Sequence, residues 1–345
     1  MMDPSQQRAA MWVAAAALLG TGSSFWMLAR IAGRLRRGQA VLPRQPRQPV
    51  PWGLGEVLLI AAGYVGLWVA AHMADRAVFG PLPSPAAVSA VAAPEGASAP
   101  TGTGRAHAGS GQAAGAGEPR PGRGDVDHRL IRLLRQRPHW ATLLEALVVA
   151  AVIAPVVEEF LFRLVLQGYL ESVESKLRRY LGFSPRAEGA LAVLLASVFF
   201  AALHYREAEP PVHAEALVRE FRCQAAASVA TLLYGLIFLR GLSGATLEDL
   251  GIRRRMIGSD VRLGLGAFLI VAAPMYGIQI ALALILPALV SKAIAPDPIT
   301  LGLFALVLGT LYCRTHRIVP SITLHMALNA TSVLLAWMTV PLVEA

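Results

Sequence analysis

Ala154-Pro155-Val156-Val157-Glu158-Glu159-Phe160-Leu161-Phe162-Arg163 sets three ionisable side chains inside an apolar run that covers roughly residues 143–168. A run of that length can cross the hydrocarbon of a bilayer, which takes about 20 residues. Each charge near the middle of a lone inserted helix costs about 2.5–3.5 kcal/mol, so the three need partners or water. Helical geometry divides them. Glu159 and Arg163 are four apart, about 40° around the axis, with the acid on the amino-terminal side, the order that favours an ion pair. Glu158 lies about 100° away on another face, out of easy reach of Arg163 and free to accept a proton. Pro155, three residues earlier, removes a backbone hydrogen bond and kinks the helix, which opens a way for water to Glu158. The competing reading of Glu159 and Arg163 is a buried salt bridge that only locks helices together.

The rest of the chain agrees with a membrane setting. Of 345 residues, 55% are hydrophobic and 15% charged, and the mean hydropathy is +0.53. A soluble surface needs about a quarter of its residues charged, so an ordinary soluble enzyme is excluded, and so is a disordered chain. Eight apolar stretches recur, at about 11–29, 52–74, 143–168, 188–204, 223–240, 263–287, 299–313 and 319–341. They predict an all-α polytopic membrane helix bundle of about eight transmembrane helices around a polar intramembrane cavity. The first stretch has no small-residue cleavage site between Leu28 and Arg30, and reads as a retained signal anchor. The net charge of +9 sits mostly in loops, where membrane lipid headgroups are the expected partner and nucleic acid is not. Two cysteines, Cys223 and Cys313, make neither a disulfide framework nor a Cys-rich zinc module.

With the amino terminus outside, the inner loops carry 17 basic residues and the short outer segments 5. That alternation predicts both ends outside. One segment argues the other way. Arg129, Arg132, Arg135 and Arg137, interleaved with Leu130, Ile131, Leu133 and Leu134, read as a basic interfacial helix, which favours the cytoplasmic leaflet. Between the second and third stretches, 17 of the 45 residues at 80–124 are Gly or Pro, too little apolar surface to offset ordering entropy. The predicted organisation is therefore a two-span anchor at 1–79, a disordered linker at 80–128 and a six-span body at 129–345.

Two later stretches carry polar pairs at helical spacing. Phe200 and His204 share a face at i, i+4 near the end of the fourth, as do His325 and Asn329 near the start of the eighth. A histidine at a span end is ordinarily interfacial, and the His325/Asn329 pair also suits interhelical hydrogen bonding. Together with Glu158 and Glu159, however, they supply a base, two imidazoles and an amide. That is an inventory for activating water and receiving an oxyanion.

These three motifs, in this order, resemble the CPBP family, which includes the type II CAAX prenyl proteases and the bacteriocin-processing and self-immunity proteins. Its pattern is EExxxR, FxxxH and HxxxN in separate membrane helices. Here it reads Glu158-Glu159-xxx-Arg163, Phe200-xxx-His204 and His325-xxx-Asn329, with Ala154-Pro155 before the first motif and Thr315-His316-Arg317-Ile318-Val319-Pro320 leading into the third. The resemblance covers about 140–210 and 297–340. It implies an all-helical intramembrane protease in which Glu158 is the general base on water, assisted by His204. Glu159 and Arg163 hold the motif helices, and His325 and Asn329 stabilise the oxyanion. The implied substrate is a membrane-associated protein or peptide. The Ala/Arg/Gly bias suggests a bacterium, hence its cytoplasmic membrane.

Two departures stand out. Leu164 follows the motif arginine where the family often has Gly. About 120 residues separate His204 from His325, where the family usually has far fewer. The insert at about 206–297 holds two apolar spans and Thr246-Leu247-Glu248-Asp249-Leu250-Gly251-Ile252, read as a capped helix start. Such Leu-Gly segments more often precede the first motif in similar bacterial proteins. The insert either packs peripherally or keeps the eighth span from the other two.

Family members are often labelled metalloproteases. There is no HExxH, and an open zinc site would have to use Glu158, His204 and His325. That would leave no general base, so the metal-free reading is preferred and zinc stays open. Gly241-Leu242-Ser243-Gly244 matches the GxSG string of rhomboid serine proteases, but reads better as a helix-ending turn. His316 has no motif partner and reads as a surface or interfacial residue. A multipass scaffold or immunity-type binding protein, whose polar residues only join helices, is the non-enzymatic alternative. A secondary transporter would want inverted repeats, and none is evident.

Overall fold

The computed structural model describes residues 22–43, 45, 49–80, 129–182, 188–204, 214–285 and 297–339. The predicted linker at 80–128 lies outside them except for its first residue, as does the start of the first predicted span. All regular structure among the described residues is helical. The helices are α1 (22–36), α2 (Leu54–Phe79), α3 (Arg129–Gln136), α4 (Trp140–Leu181), α5 (Ala190–Leu203), α6 (Ala214–Leu242), α7 (Ile257–Ile285), α8 (Asp297–Thr315) and α9 (Ile318–Thr339). Six of these, α2, α4, α6, α7, α8 and α9, are long and apolar enough to cross a membrane. Against the expectation of about eight, α5 is apolar but only 14 residues long. The bundle is therefore a helical membrane fold with six full-length described spans.

Helix α4 is the axis of the bundle. It packs against α5 and α9 on the side of the motifs; α8 lies against α5, α7 along α9, and α2 along α6. Glycines make two seams close, α2–α6 and α6–α4. A Cβ on Gly63 would fall 2.3 Å from the Tyr234 ring, and one on Gly235 would fall 2.6 Å from the Phe160 ring.

Pro155 does not break α4. The helix widens instead into π-helical stretches at Leu147–Ile153 and Glu159–Gln167. In the first stretch the Ala154 N–H donates to the Val149 carbonyl, five residues back. In that register the next donor position faces the Ala150 carbonyl, but it belongs to Pro155, which has no N–H.

The basic segment at 129–136 is not the lipid-lying helix that the sequence suggests. Leu130, Leu133 and Leu134 are buried against α6 and α9, so the apolar face of α3 is spent on protein. Part of its charge is paired as well. Arg129 pairs with Glu220, Arg137 with Glu215 at 3.4 Å, and nearby Arg222 with Glu145 at 2.8 Å. Two of the four arginines, Arg129 and Arg137, thus face acids of α6.

Two further expectations are corrected. Thr246 and Asp249 do form a reciprocal cap, with the Thr246 N–H donating to Asp249 Oδ2 at 2.8 Å and the Asp249 N–H to Thr246 Oγ1 at 3.2 Å. The cap closes a single turn that ends at Gly251, which takes φ +69°, and helical structure resumes only at Arg254. His316 is not a surface residue. Its side chain is largely enclosed, with Nδ1 3.9 Å from Glu171 Oε2, on the wall of a polar cavity of about 370 Å³ at the carboxy-terminal end of α4.

Candidate active site

The three motifs meet although they lie far apart in sequence. Glu158 and Glu159 occupy the middle of α4, at the join between its Ala154–Glu158 turn and the second π stretch. His204 is the residue that ends α5. His325 sits two turns into α9. The carboxylate of Glu158 lies between the two imidazoles: Oε1 is 3.7 Å from His204 Nε2 and Oε2 is 3.6 Å from His325 Nε2. These separations exceed a direct hydrogen bond and suit a shared water molecule.

Each imidazole is held by its other nitrogen. His204 Nδ1 lies 2.7 Å from the Phe200 carbonyl, and His325 Nδ1 lies 3.1 Å from Glu159 Oε1. Both partners are acceptors, so each Nδ1 carries the proton and each Nε2 is turned toward Glu158. Aromatic rings complete the fit. Phe200 stacks on His204 at 4.2 Å between centroids, and Phe304 meets His325 edge-on at 5.2 Å. The four-residue step of Phe200 and His204 thus does two jobs, a carbonyl anchor and a ring platform.

The predicted ion pair forms in a fully enclosed setting. Arg163 Nε is 3.5 Å from Glu159 Oε2, and neither side chain is exposed. The Arg163 guanidinium also lies 5.4 Å above the Phe200 ring, a cation–π contact that ties α4 to the helix bearing His204. Glu159 therefore serves His325 with one oxygen and Arg163 with the other.

Asn329 is placed differently from its expected partnership with His325 over the oxyanion. Its Nδ2 donates at 2.9 Å to the Ala150 carbonyl, the acceptor that Pro155 leaves without a chain donor. The amide thereby joins α9 to α4 one turn from the imidazole.

Two residues of this network went unnoticed in the sequence. Gln167 and Glu171 continue the four-residue step from Glu159 and Arg163 down the same face. Gln167 Nε2 donates to Glu171 Oε1 and to the Gly309 carbonyl, each at 2.9 Å. Extending the i, i+4 series past Arg163 would have found both.

Among the described residues, no group of three or more His, Cys, Asp or Glu side chains is arranged to hold a metal ion. Glu158, His204 and His325 are included in that statement. Ser243 stands apart from the site: its hydroxyl donates to Glu56 Oε1 at 3.1 Å, in a turn closed by Gly244 at φ +64°.

A family profile described as type II CAAX prenyl endopeptidase Rce1-like matches residues 140–331. The chain belongs to this family. The match runs from the first residue of α4 to two residues beyond Asn329, so all three motifs and the long segment between the second and third fall within it. No curated protein and no solved structure matches the chain. As an Rce1-like protein with six apolar spanning helices, it is an integral multi-pass membrane protein of a protease family.

Proposed function

We propose that the protein is an intramembrane endopeptidase that cleaves a membrane-associated protein or peptide in a bacterial cytoplasmic membrane. The observation that carries this reading is one carboxylate, Glu158, flanked by two Nε2 atoms from different helices. Its side chain keeps 26% exposure and that of His204 27%, while Glu159 keeps none. Water between Glu158 and the imidazoles gives a proton to Glu158 as its oxygen attacks the scissile carbonyl carbon. With both ring nitrogens protonated, an imidazole donates its Nε2–H to the oxyanion that forms. Glu158 then returns the proton to the departing amine as the C–N bond breaks. Glu159 keeps His325 in one tautomer and orientation, Arg163 balances Glu159, and Asn329 fixes the helix. Every step uses these side chains and water.

An apolar groove of about 620 Å³ between α5 and α8 supports a substrate arriving sideways from lipid. Its wall includes Ala201 and Ala202, which lie between Phe200 and His204.

The test is a peptidase assay of the purified protein on membrane-inserted peptides. Glu158→Gln is expected to lower kcat by about 10²–10⁴-fold with an unchanged unfolding temperature. Cleavage at the wild-type rate by a folded Glu158→Gln protein sinks the proposal and favours the scaffold.

A further inference from the structure

The segment between the second and third motifs reaches α9 at four levels. At the start of α9, the Gly251 carbonyl accepts the Ile318 N–H at 3.2 Å, and a Cβ on Gly251 would lie 2.9 Å from that nitrogen. Beside it, Asp260 of α7 pairs with Arg317, both buried. One turn further, a Cβ on Gly264 would fall 2.6 Å from the Pro320 carbonyl oxygen and 2.6 Å from Thr323 Cβ, so the two backbones touch. Past His325, the Tyr276 hydroxyl donates to the Leu328 carbonyl at 3.3 Å and lies 2.9 Å from Ser332 Oγ.

These contacts differ in kind. Contacts between apolar side chains of two long helices tolerate small slides. A buried ion pair does not, because a shift strands two charges in a low dielectric. Such pairs add little net stability, and their best-attested use is to fix register. Register matters here in a specific way. Moving α9 by one residue shifts His325 by about 1.5 Å and turns it by about 100°, which takes Nε2 away from Glu158. In the pair itself, Asp260 Oδ2 and Arg317 Nε have no hydrogen-bond partner among the described residues.

We propose that α7 and the Thr246–Gly251 turn brace α9, and that Asp260 and Arg317 are positioning residues whose pairing sets His325 against Glu158. The inference rests on the proposed catalytic role of that site. The insert is then neither peripheral nor a barrier: it holds the third motif in place.

The test replaces the pair by apolar residues of similar size, Asp260→Leu with Arg317→Met. Loss of a buried pair in this manner is neutral or stabilising, so the unfolding temperature is expected to hold or rise. On the proposal, kcat falls at least tenfold at unchanged KM, and the exchanged pair Asp260→Arg with Arg317→Asp recovers most of it. A second readout needs no activity. Nitroxide labels at Val152 of α4 and Leu334 of α9, both facing outward, in a protein lacking Cys223 and Cys313, should give one narrow distance in the wild type. In the apolar double variant that distribution should broaden or split. A narrow, unshifted distance in the double variant overturns the brace, whether or not the protein cleaves anything. If the distance splits while the wild type shows no peptidase activity, the brace stands and the catalytic reading fails.

Discussion

Glu158 and Glu159 are chain neighbours on one helix, yet the first keeps a quarter of its side chain open and the second none. The first faces two imidazole nitrogens at 3.6–3.7 Å with no closer partner among the charged groups. The second is gripped by His325 at 3.1 Å and Arg163 at 3.5 Å. A rotation of about 100° along the helix thus separates a partly open carboxylate from a fully enclosed one. On the proposed function, the two faces of α4 are a reacting side and a bearing side, and the bearing side holds the second imidazole in place for the first.

The comparison can be broken most readily at Arg163. Arg163→Leu leaves Glu159 charged and enclosed, which should cost about 3–5 kcal/mol. Glu158→Gln should cost almost nothing in stability. Thermal unfolding in detergent decides it: equal losses for the two variants would erase the distinction between the faces. A smaller effect is expected at Asn329. Asn329→Ala leaves the Ala150 carbonyl without a donor, a penalty of about 1–3 kcal/mol, and should weaken amide-exchange protection around residues 147–153. Unaltered protection there would mean that water takes over the carbonyl. The least effect belongs to Ser243. Ser243→Ala removes one hydrogen bond to Glu56, worth about 1 kcal/mol, and should leave any cleavage rate unchanged. A large loss of rate would reopen the serine-protease reading.

Much of this was legible because charge inside an apolar run is costly and therefore informative. Helical spacing alone separated Glu158 from the Glu159–Arg163 pair, and the i, i+4 steps placed His204 and His325 on definite faces. The partnership of Asn329 was hidden for a physical reason. Its acceptor, the Ala150 carbonyl, is a backbone atom whose availability depends on the π register above Pro155, and sequence spacing does not report register. The acids that pair with Arg129 and Arg137, Glu220 and Glu215, lie on another helix and so do not show in the local sequence. The turn at Thr246–Gly251 showed its cap in the sequence but not its length, which depends on Gly251 docking against Ile318. His316 looked solitary because Glu171, its neighbour in space, lies 145 residues away.

The brevity of α5 has a consequence for the bilayer itself. Fourteen helical residues measure about 21 Å, some 9 Å less than the usual hydrocarbon thickness of about 30 Å. Its outer flank presents Leu191, Leu194, Leu195, Val198, Phe199 and Leu203, and local thinning of the bilayer is one way to match so short an apolar face. On the proposed function, a thinner bilayer at that flank would shorten the path from the interface to Glu158 at the end that carries His204.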